Sequence, residues 1–191
     1  RWSERLCTEL FNKTNVFLVM NYKSKLRDIR AFVFDYDGVI SDGNIWSAND
    51  QIIVRSGNVK DGYAIQYALR KGYVVAVISG GSGNSIASRM AMLGVKDVYL
   101  GSHRKKEIFE KFLNEKQLTT NQVLYMGDDI PDYDVMQMVG VATCPADAAE
   151  EIKQVSDYIS HKNGGSGCVR DVIEQVMKLQ NKWFDEDAKA W

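Results

Sequence analysis

From Ile29 to Leu179, short apolar runs alternate with segments whose apolar positions recur every three or four residues. Ile29–Phe34, Tyr73–Ile78 and Val123–Met126 are nearly continuous apolar stretches, as strands buried on both faces are. Asp97–Leu100, Val141–Cys144 and Asp157–Ser160 read as shorter strands, the last at an edge. Between them, Lys60–Lys71, Asn84–Leu93, Lys105–Gln117, Pro131–Val139, Ala146–Gln154 and Cys168–Leu179 carry helical spacing. Gly72, Gly94 and Gly140 stand where three of these helices should stop. Such alternation predicts an α/β fold with a mainly parallel sheet and right-handed crossovers.

One insert breaks the alternation. Ile45-Trp46-Ser47 and Ile52-Ile53-Val54 flank Ala48–Gln51 and read as a β-hairpin. No helix follows to cover Trp46 and Ile53, and an isolated hairpin is marginal in water. This flap is therefore expected to pack on a neighbouring subunit. The stretches from Gly38 to Lys60 and from Gly80 to Gly101 hold only a hairpin and a helix plus a strand, so neither has room for a lid domain. The expected fold class is a Rossmann-like, doubly wound, mainly parallel sheet with a β-hairpin flap after the first strand and no cap domain. Residues 28–183 form the domain and residues 184–191 a C-terminal tail. Residues 1–27 read as an N-terminal extension. Trp2, Leu6, Leu10 and Phe11 have near-helical spacing there, and Met20 would make a natural start, so residues 1–19 are either a peripheral helix or artefactual.

Composition narrows the class. The chain has 191 residues, 45% apolar and 26% charged, which suits one globular domain with a real core. A formal net charge of −1 offers no basic field for nucleic acid. No apolar run approaches the ~18–20 residues of a membrane helix. Cys7, Cys144 and Cys168 are scattered and odd in number, which argues against a zinc site or a disulfide framework and fits the cytoplasm.

Chemistry concentrates at strand ends. Asp35-Tyr36-Asp37-Gly38 follows the first apolar run, at the crevice where open α/β sheets bind ligands. Residues two apart in an extended segment point the same way, so Asp35 and Asp37 can face one small target. Two carboxylates that close call for a cation, and an all-oxygen ligand set suits Mg²⁺. Gly127-Asp128-Asp129-Ile130-Pro131-Asp132 ends another strand with three more acids. Ser79-Gly80-Gly81 offers a hydroxyl and backbone N–H groups that could hold a phosphate. Lys105 and Lys106 stand at a helix start, where a cation is disfavoured unless it meets an anion. His103 and His161 read as loop histidines.

In order and spacing these elements resemble the motifs of the haloacid dehalogenase superfamily, in its capless branch. The match is D-x-D-G at Asp35–Gly38, Ser79, Lys105 and G-D-D-x-x-D at Gly127–Asp132, with Asn58–Tyr63 and the glycine-rich Gly164–Asp171 in support. The resemblance implies a Mg²⁺-dependent phosphomonoesterase acting through an aspartyl-phosphate. It implies Asp35 as nucleophile, Asp37 as acid and base, and Ser79 and Lys105 as phosphoryl clamps. The metal would rest on Asp35, the Asp37 carbonyl and Asp128, with Asp129 and Asp132 supporting Lys105 and the metal from behind. Substrate contacts would come from Asp37, Asn58, Val59, Lys60, Asp61, Gly62, Gly80, Arg89 and Lys105. The implied substrate is a phosphorylated sugar acid, 3-deoxy-D-manno-octulosonate 8-phosphate, used for lipopolysaccharide precursors. A nine-carbon sugar-acid 9-phosphate and a non-catalytic assembly domain are the alternatives. Many family members carry arginine where this chain has Lys60, Gln66 and Gly81. A homotetramer is implied, with the hairpin and the flexible Gly164–Gly167 tail roofing a site in the same or a neighbouring chain.

Overall fold

The computed structural model describes residues 22–49 and 52–189. The expected N-terminal helix before Met20 lies outside the described residues. Six strands form one parallel sheet: β1 (Ala31–Phe34), β4 (Val74–Ile78), β5 (Asp97–Tyr99), β6 (Val123–Met126), β7 (Val141–Cys144) and β8 (Tyr158–Ile159). Their order is β5-β4-β1-β6-β7-β8, so the chain moves outward from β1 in both directions. β1 therefore has a strand on each side, pairing Phe34 with Val77 of β4 and with Met126 of β6. Three strands thus end side by side at the point where the strand order reverses. That is where ligands bind in sheets of this kind.

The helices are α1 (Val59–Arg70), α2 (Asn84–Met92), α3 (Lys105–Lys116), α4 (Tyr133–Met136), α5 (Glu150–Val155) and α6 (Cys168–Leu179). Strand alternation divides the core in two. Phe32 and Phe34 of β1 join Ile65 of α1, Ile86 of α2 and Val172 and Val176 of α6 on one face. Ala31 and Val33 join Phe109 and Phe112 of α3 and Val135 of α4 on the other. Tyr22 and Leu26, placed with the extension on sequence grounds, are buried in the first of these layers, and Tyr22 stacks on Tyr158 at 5.0 Å. Past α6 the chain folds back over α1. Trp183 packs edge-on to Tyr67, and Lys71 pairs with Asp185 and Asp187.

Two helices are shorter than their periodicity predicts. The expected Pro131–Val139 helix is a 3-10 turn over Ile130–Asp132 followed by the single-turn α4. It stops early because Gly140 is drawn onto the backbone of Asn121 and donates to Thr120 O at 2.9 Å. The expected Ala146–Gln154 helix begins only at Glu150. The Ala146 N–H is held by Lys162 O and the Ala149 N–H by Asp128 O, both at loop positions.

The hairpin is present as β2 (Trp46–Asn49) paired with β3 (Ile52–Val54), with a register shift between Ser47 and Asn49. It stands off the domain: Trp46 is 66% exposed and Ile53 41%. The glycine-rich segment corrects its expectation. Rather than a flexible arm, Gly164–Gly167 is fastened to its own chain. Gly164 N–H donates to Asp147, Gly165 N–H to Val39 O, and Gly167 N–H to Asp61, at 2.9–3.1 Å.

Candidate active site

The apolar strand β1 ends at Phe34, and the next residue carries the first carboxylate. Asp35 N–H donates to Met126 O across the strand pair, which seats Asp35 at the carboxyl end of the central strand. The chain then turns tightly, with the amides of Ile40 and Ser41 both donating to Tyr36 O. Gly38 permits this turn. Its φ is +82°, and a Cβ there would lie 2.0 Å from Asp128 Oδ2. The carboxylate at the end of β6 is therefore pressed onto the backbone of the β1 loop. Asp35, Asp128 and Asp132 each present an oxygen within 4.8 Å of the others.

Lys105 opens α3 yet is only 4% exposed, because its side chain runs inward. Its Nζ lies 2.7 Å from Asp35 Oδ2 and 2.7 Å from Asp132 Oδ1. The Tyr125 hydroxyl donates to Asp132 as well, and the Asp128 N–H donates to Asp132 Oδ2 at 3.3 Å. Both oxygens of Asp132 are thus engaged, as are both of Asp35, whose Oδ1 accepts from Tyr36 N–H at 2.6 Å, so Asp128 is the freest of the three carboxylates. Burial pushes Asp128 up to about 8, with Asp35 and Asp132 adding repulsion. Burial likewise raises Asp35 to about 6, with Asp132 adding to it and Lys105 opposing. For Lys105 burial works against the charge, but Asp132 and Asp35 outweigh it and its pKa is raised. One ammonium serves three clustered acids, so the cluster is short of positive charge. Hard oxygen donors in that state suit a divalent cation such as Mg²⁺.

A cleft of about 270 Å³ opens above these groups, lined by Asp35, Asp37, Ser79, Gly81, Lys105 and Asp128 among others. Ser79, at the end of β4, is 1% exposed and its Oγ accepts from Gly81 N–H at 3.1 Å. Gly80 lies beside it on the cleft wall. Asp37 is held from the other side. Arg55 Nε donates to its Oδ1 at 2.7 Å and its Oδ2 at 3.1 Å, and Ser41 Oγ donates at 3.1 Å.

Other expected residues lie elsewhere. Asp129 is exposed and caps Ile130 N–H, away from Lys105, so Asp132 alone of the two supports that lysine. Asp61 turns into the fold. It is 1% exposed, and it accepts from Gly167 N–H at 3.1 Å and Arg170 N–H at 2.7 Å, capping α6. Burial pushes its pKa to about 6 against those hydrogen bonds. Gly62 is buried against α2, with its Cβ position 2.8 Å from Arg89 Nη2. Asn58 caps α1 through Lys60 N–H at 2.8 Å. Asn58, Val59 and Lys60 line a second cleft of about 480 Å³ with Asp42 and Ser166, and the next residue, Gly43, lines the first. Two site residues were not expected. Arg55 follows the hairpin with no local motif, and Tyr125 reads as an ordinary apolar strand residue.

A six-stranded parallel sheet whose central strand ends in a buried acid, faced by a lysine and a second acidic strand end, is an α/β fold with a charged, metal-suited cluster at its switch point. Residues 92–173 match the family of haloacid dehalogenase-like hydrolases. The chain is 36% identical over 159 residues to the 3-deoxy-D-manno-octulosonate 8-phosphate phosphatase of Salmonella typhi, covering 83% of this chain and 85% of that protein. The crystal structure of the phosphatase of the same name from Yersinia pestis aligns with a TM-score of 0.83 at 32% identity, over 85% of this chain and 88% of that one. The Moraxella catarrhalis phosphatase of that name, solved with a magnesium ion, a phosphate ion and a KDO molecule, aligns with a TM-score of 0.82 at 30% identity, over 85% and 93%. The chain belongs to the haloacid dehalogenase-like hydrolases, alongside these 3-deoxy-D-manno-octulosonate 8-phosphate phosphatases.

Proposed function

We propose that this chain is a Mg²⁺-dependent phosphomonoesterase that hydrolyses 3-deoxy-D-manno-octulosonate 8-phosphate to the free sugar acid and phosphate. The observation that carries this is the joint one of a buried Asp35–Lys105–Asp132 cluster at the sheet switch point and an alignment along most of the M. catarrhalis enzyme crystallised with magnesium, phosphate and KDO. In this reading the Asp35 carboxylate attacks phosphorus while the bond to the sugar oxygen breaks. Asp37 gives its proton to that oxygen. It then takes a proton from water, which attacks the aspartyl-phosphate and restores Asp35. Lys105 holds Asp35 in place and, with Ser79 and the Gly80 amide, faces the phosphoryl oxygens. Mg²⁺, held by Asp35, the Asp37 carbonyl and Asp128, supplies charge neutralisation between the carboxylate and the phosphate dianion.

The neighbouring cleft at Asn58, Val59 and Lys60 is the proposed berth for sugar hydroxyls, with Arg89 behind it. The exposed Trp46 and Ile53 support a homotetramer in which the hairpin of one chain meets another. No helix among the described residues is long and apolar enough to cross a membrane. The proposed setting is the cytoplasm, in lipopolysaccharide precursor synthesis. Phosphate release from eight- and nine-carbon sugar-acid phosphates with Mg²⁺ tests the reading. Preference for the eight-carbon substrate is expected, and no release from either would refute it.

A further inference from the structure

Arg55 presents the largest unanswered polar demand near the cleft. Its side chain is 4% exposed, and Nη1 is buried with no hydrogen-bond partner. A buried donor left unmet is costly, so such a group marks where an acceptor arrives. The Nε side is already committed to Asp37. The other nitrogens face the loop after Ser79. A Cβ at Gly81 would lie 3.2 Å from Nη2 and 2.8 Å from Asp37 Oδ2, and one at Gly83 would lie 4.0 Å from Nη1. Gly81 also lines the cleft. The guanidinium thus lies directly behind Gly81 on the cleft wall. Asp37 is where the departing oxygen of the substrate must be, so the rest of the leaving group passes within reach of Arg55.

We propose that Arg55 is the specificity-determining residue of this site and binds a carboxylate carried by the leaving group. The inference rests on the proposed function and names the group that reads the acid of the sugar acid. A guanidinium fork matches a carboxylate in geometry, and an ammonium at the same place does not. The absence of a side chain at residue 81 is what admits the guanidinium. Because Arg55 directly follows β3, the hairpin delivers this specificity to the catalytic acid.

The test compares kcat/KM for 3-deoxy-D-manno-octulosonate 8-phosphate and for ribose 5-phosphate, a sugar phosphate with an alkoxide leaving group and no carboxylate. Wild type, Arg55→Gln and Arg55→Lys are assayed with saturating Mg²⁺. The expected result is a wild-type preference for the sugar acid that Arg55→Gln cuts by about 30-fold, the scale of one charged hydrogen-bonded contact, with Arg55→Lys recovering only part. Gly81→Ala, which crowds Nη2 and Asp37, should cut the preference in the same direction. Equal losses on both substrates would mean that Arg55 only orients Asp37 or supports the fold, and would overturn the proposal. An undiminished preference in Arg55→Gln would overturn it too. A wild type with no preference for the sugar acid would overturn the substrate reading itself and this inference with it. If Arg55→Gln does not fold, the Arg55→Lys ratio decides: an unchanged preference there refutes the fork.

Discussion

Gly164→Ala should disable the enzyme from a position more than a hundred residues away from Asp35. A Cβ on Gly164 would sit 2.0 Å from the Gly38 carbonyl oxygen and 2.6 Å from its carbon, whereas real Cβ contacts essentially never fall under 3.0 Å. Gly164 has no left-handed φ, so the methyl group meets a steric obstacle and no torsional one. The obstacle is backbone on both sides and cannot swing away. Relief needs about 1 Å of separation, on the scale where misplacing catalytic groups costs roughly 10²-fold. Gly38 has little room to yield, because Asp128 is packed on its other side. Overpacking of this kind also costs about 1–3 kcal/mol, or roughly 3–10 °C in Tm for a domain of this size. The assay is kcat/KM on the sugar-acid phosphate together with a thermal melt. Gly72→Ala is the control: its φ is +84° and nothing lies within 4 Å of its Cβ. It should lose about 1–2 kcal/mol of stability through backbone strain and keep full activity. A Gly164→Ala enzyme within twofold of wild type would refute the view that the glycine-rich segment buttresses the catalytic turn.

Asp35→Asn should abolish phosphate release with no loss of Tm, since an amide is a poor nucleophile but still accepts from Lys105 and relieves the repulsion that lifts Asp35; residual turnover in a clean preparation would sink the mechanism. Asp61→Ala strands the Gly167 and Arg170 amides and should cost about 2 kcal/mol, roughly 4–8 °C, so an unchanged melt would contradict its capping of α6. Asp35 and Asp128 titrate near 6 and 8 in the metal-free fold against 3.8 ordinarily, so their stabilising protons are fully held at low pH and lost as pH rises through those values. Metal-free protein should therefore lose Tm between about pH 4 and 8, most steeply below 6 where both groups contribute, and Mg²⁺ should raise Tm more at pH 8 than at pH 5; a metal-free Tm that climbs over that interval would be inconsistent with the cluster. Trp46→Asp should break a tetramer into smaller species in sedimentation, and a wild-type chain that sediments as an active monomer would rule the assembly out.

Much of this protein is written in local pattern. The parallel strands follow from short continuous apolar runs, most of the helices from a period of 3.6, and the hairpin from two apolar runs around a turn, signals only a few residues long. Asp35, Ser79 and Asp128 could be placed at strand ends for the same reason, each marked by an apolar run that stops at a polar residue. Lys105 betrayed itself as a cation at a helix start. What the pattern could not carry was direction and distance. Asp61 and Asp129 are carboxylates in motif-like stretches, but one caps α6 and the other caps its own turn. The helices expected over Pro131–Val139 and Ala146–Gln154 yielded to hydrogen bonds that Gly140 and Ala149 donate to the carbonyls of Thr120 and Asp128, partners remote in sequence. Arg55 carries no local signal, and its place beside Asp37 exists only once the chain after the hairpin lies against the loop after Ser79. The glycine-rich segment looks like a flexible arm in one dimension; its contact with Gly38 becomes visible only when α6 docks on α1. Periodicity is decided by neighbours along the chain, whereas these contacts are decided by which strands lie side by side, and that depends on how the whole sheet and both helical layers close together.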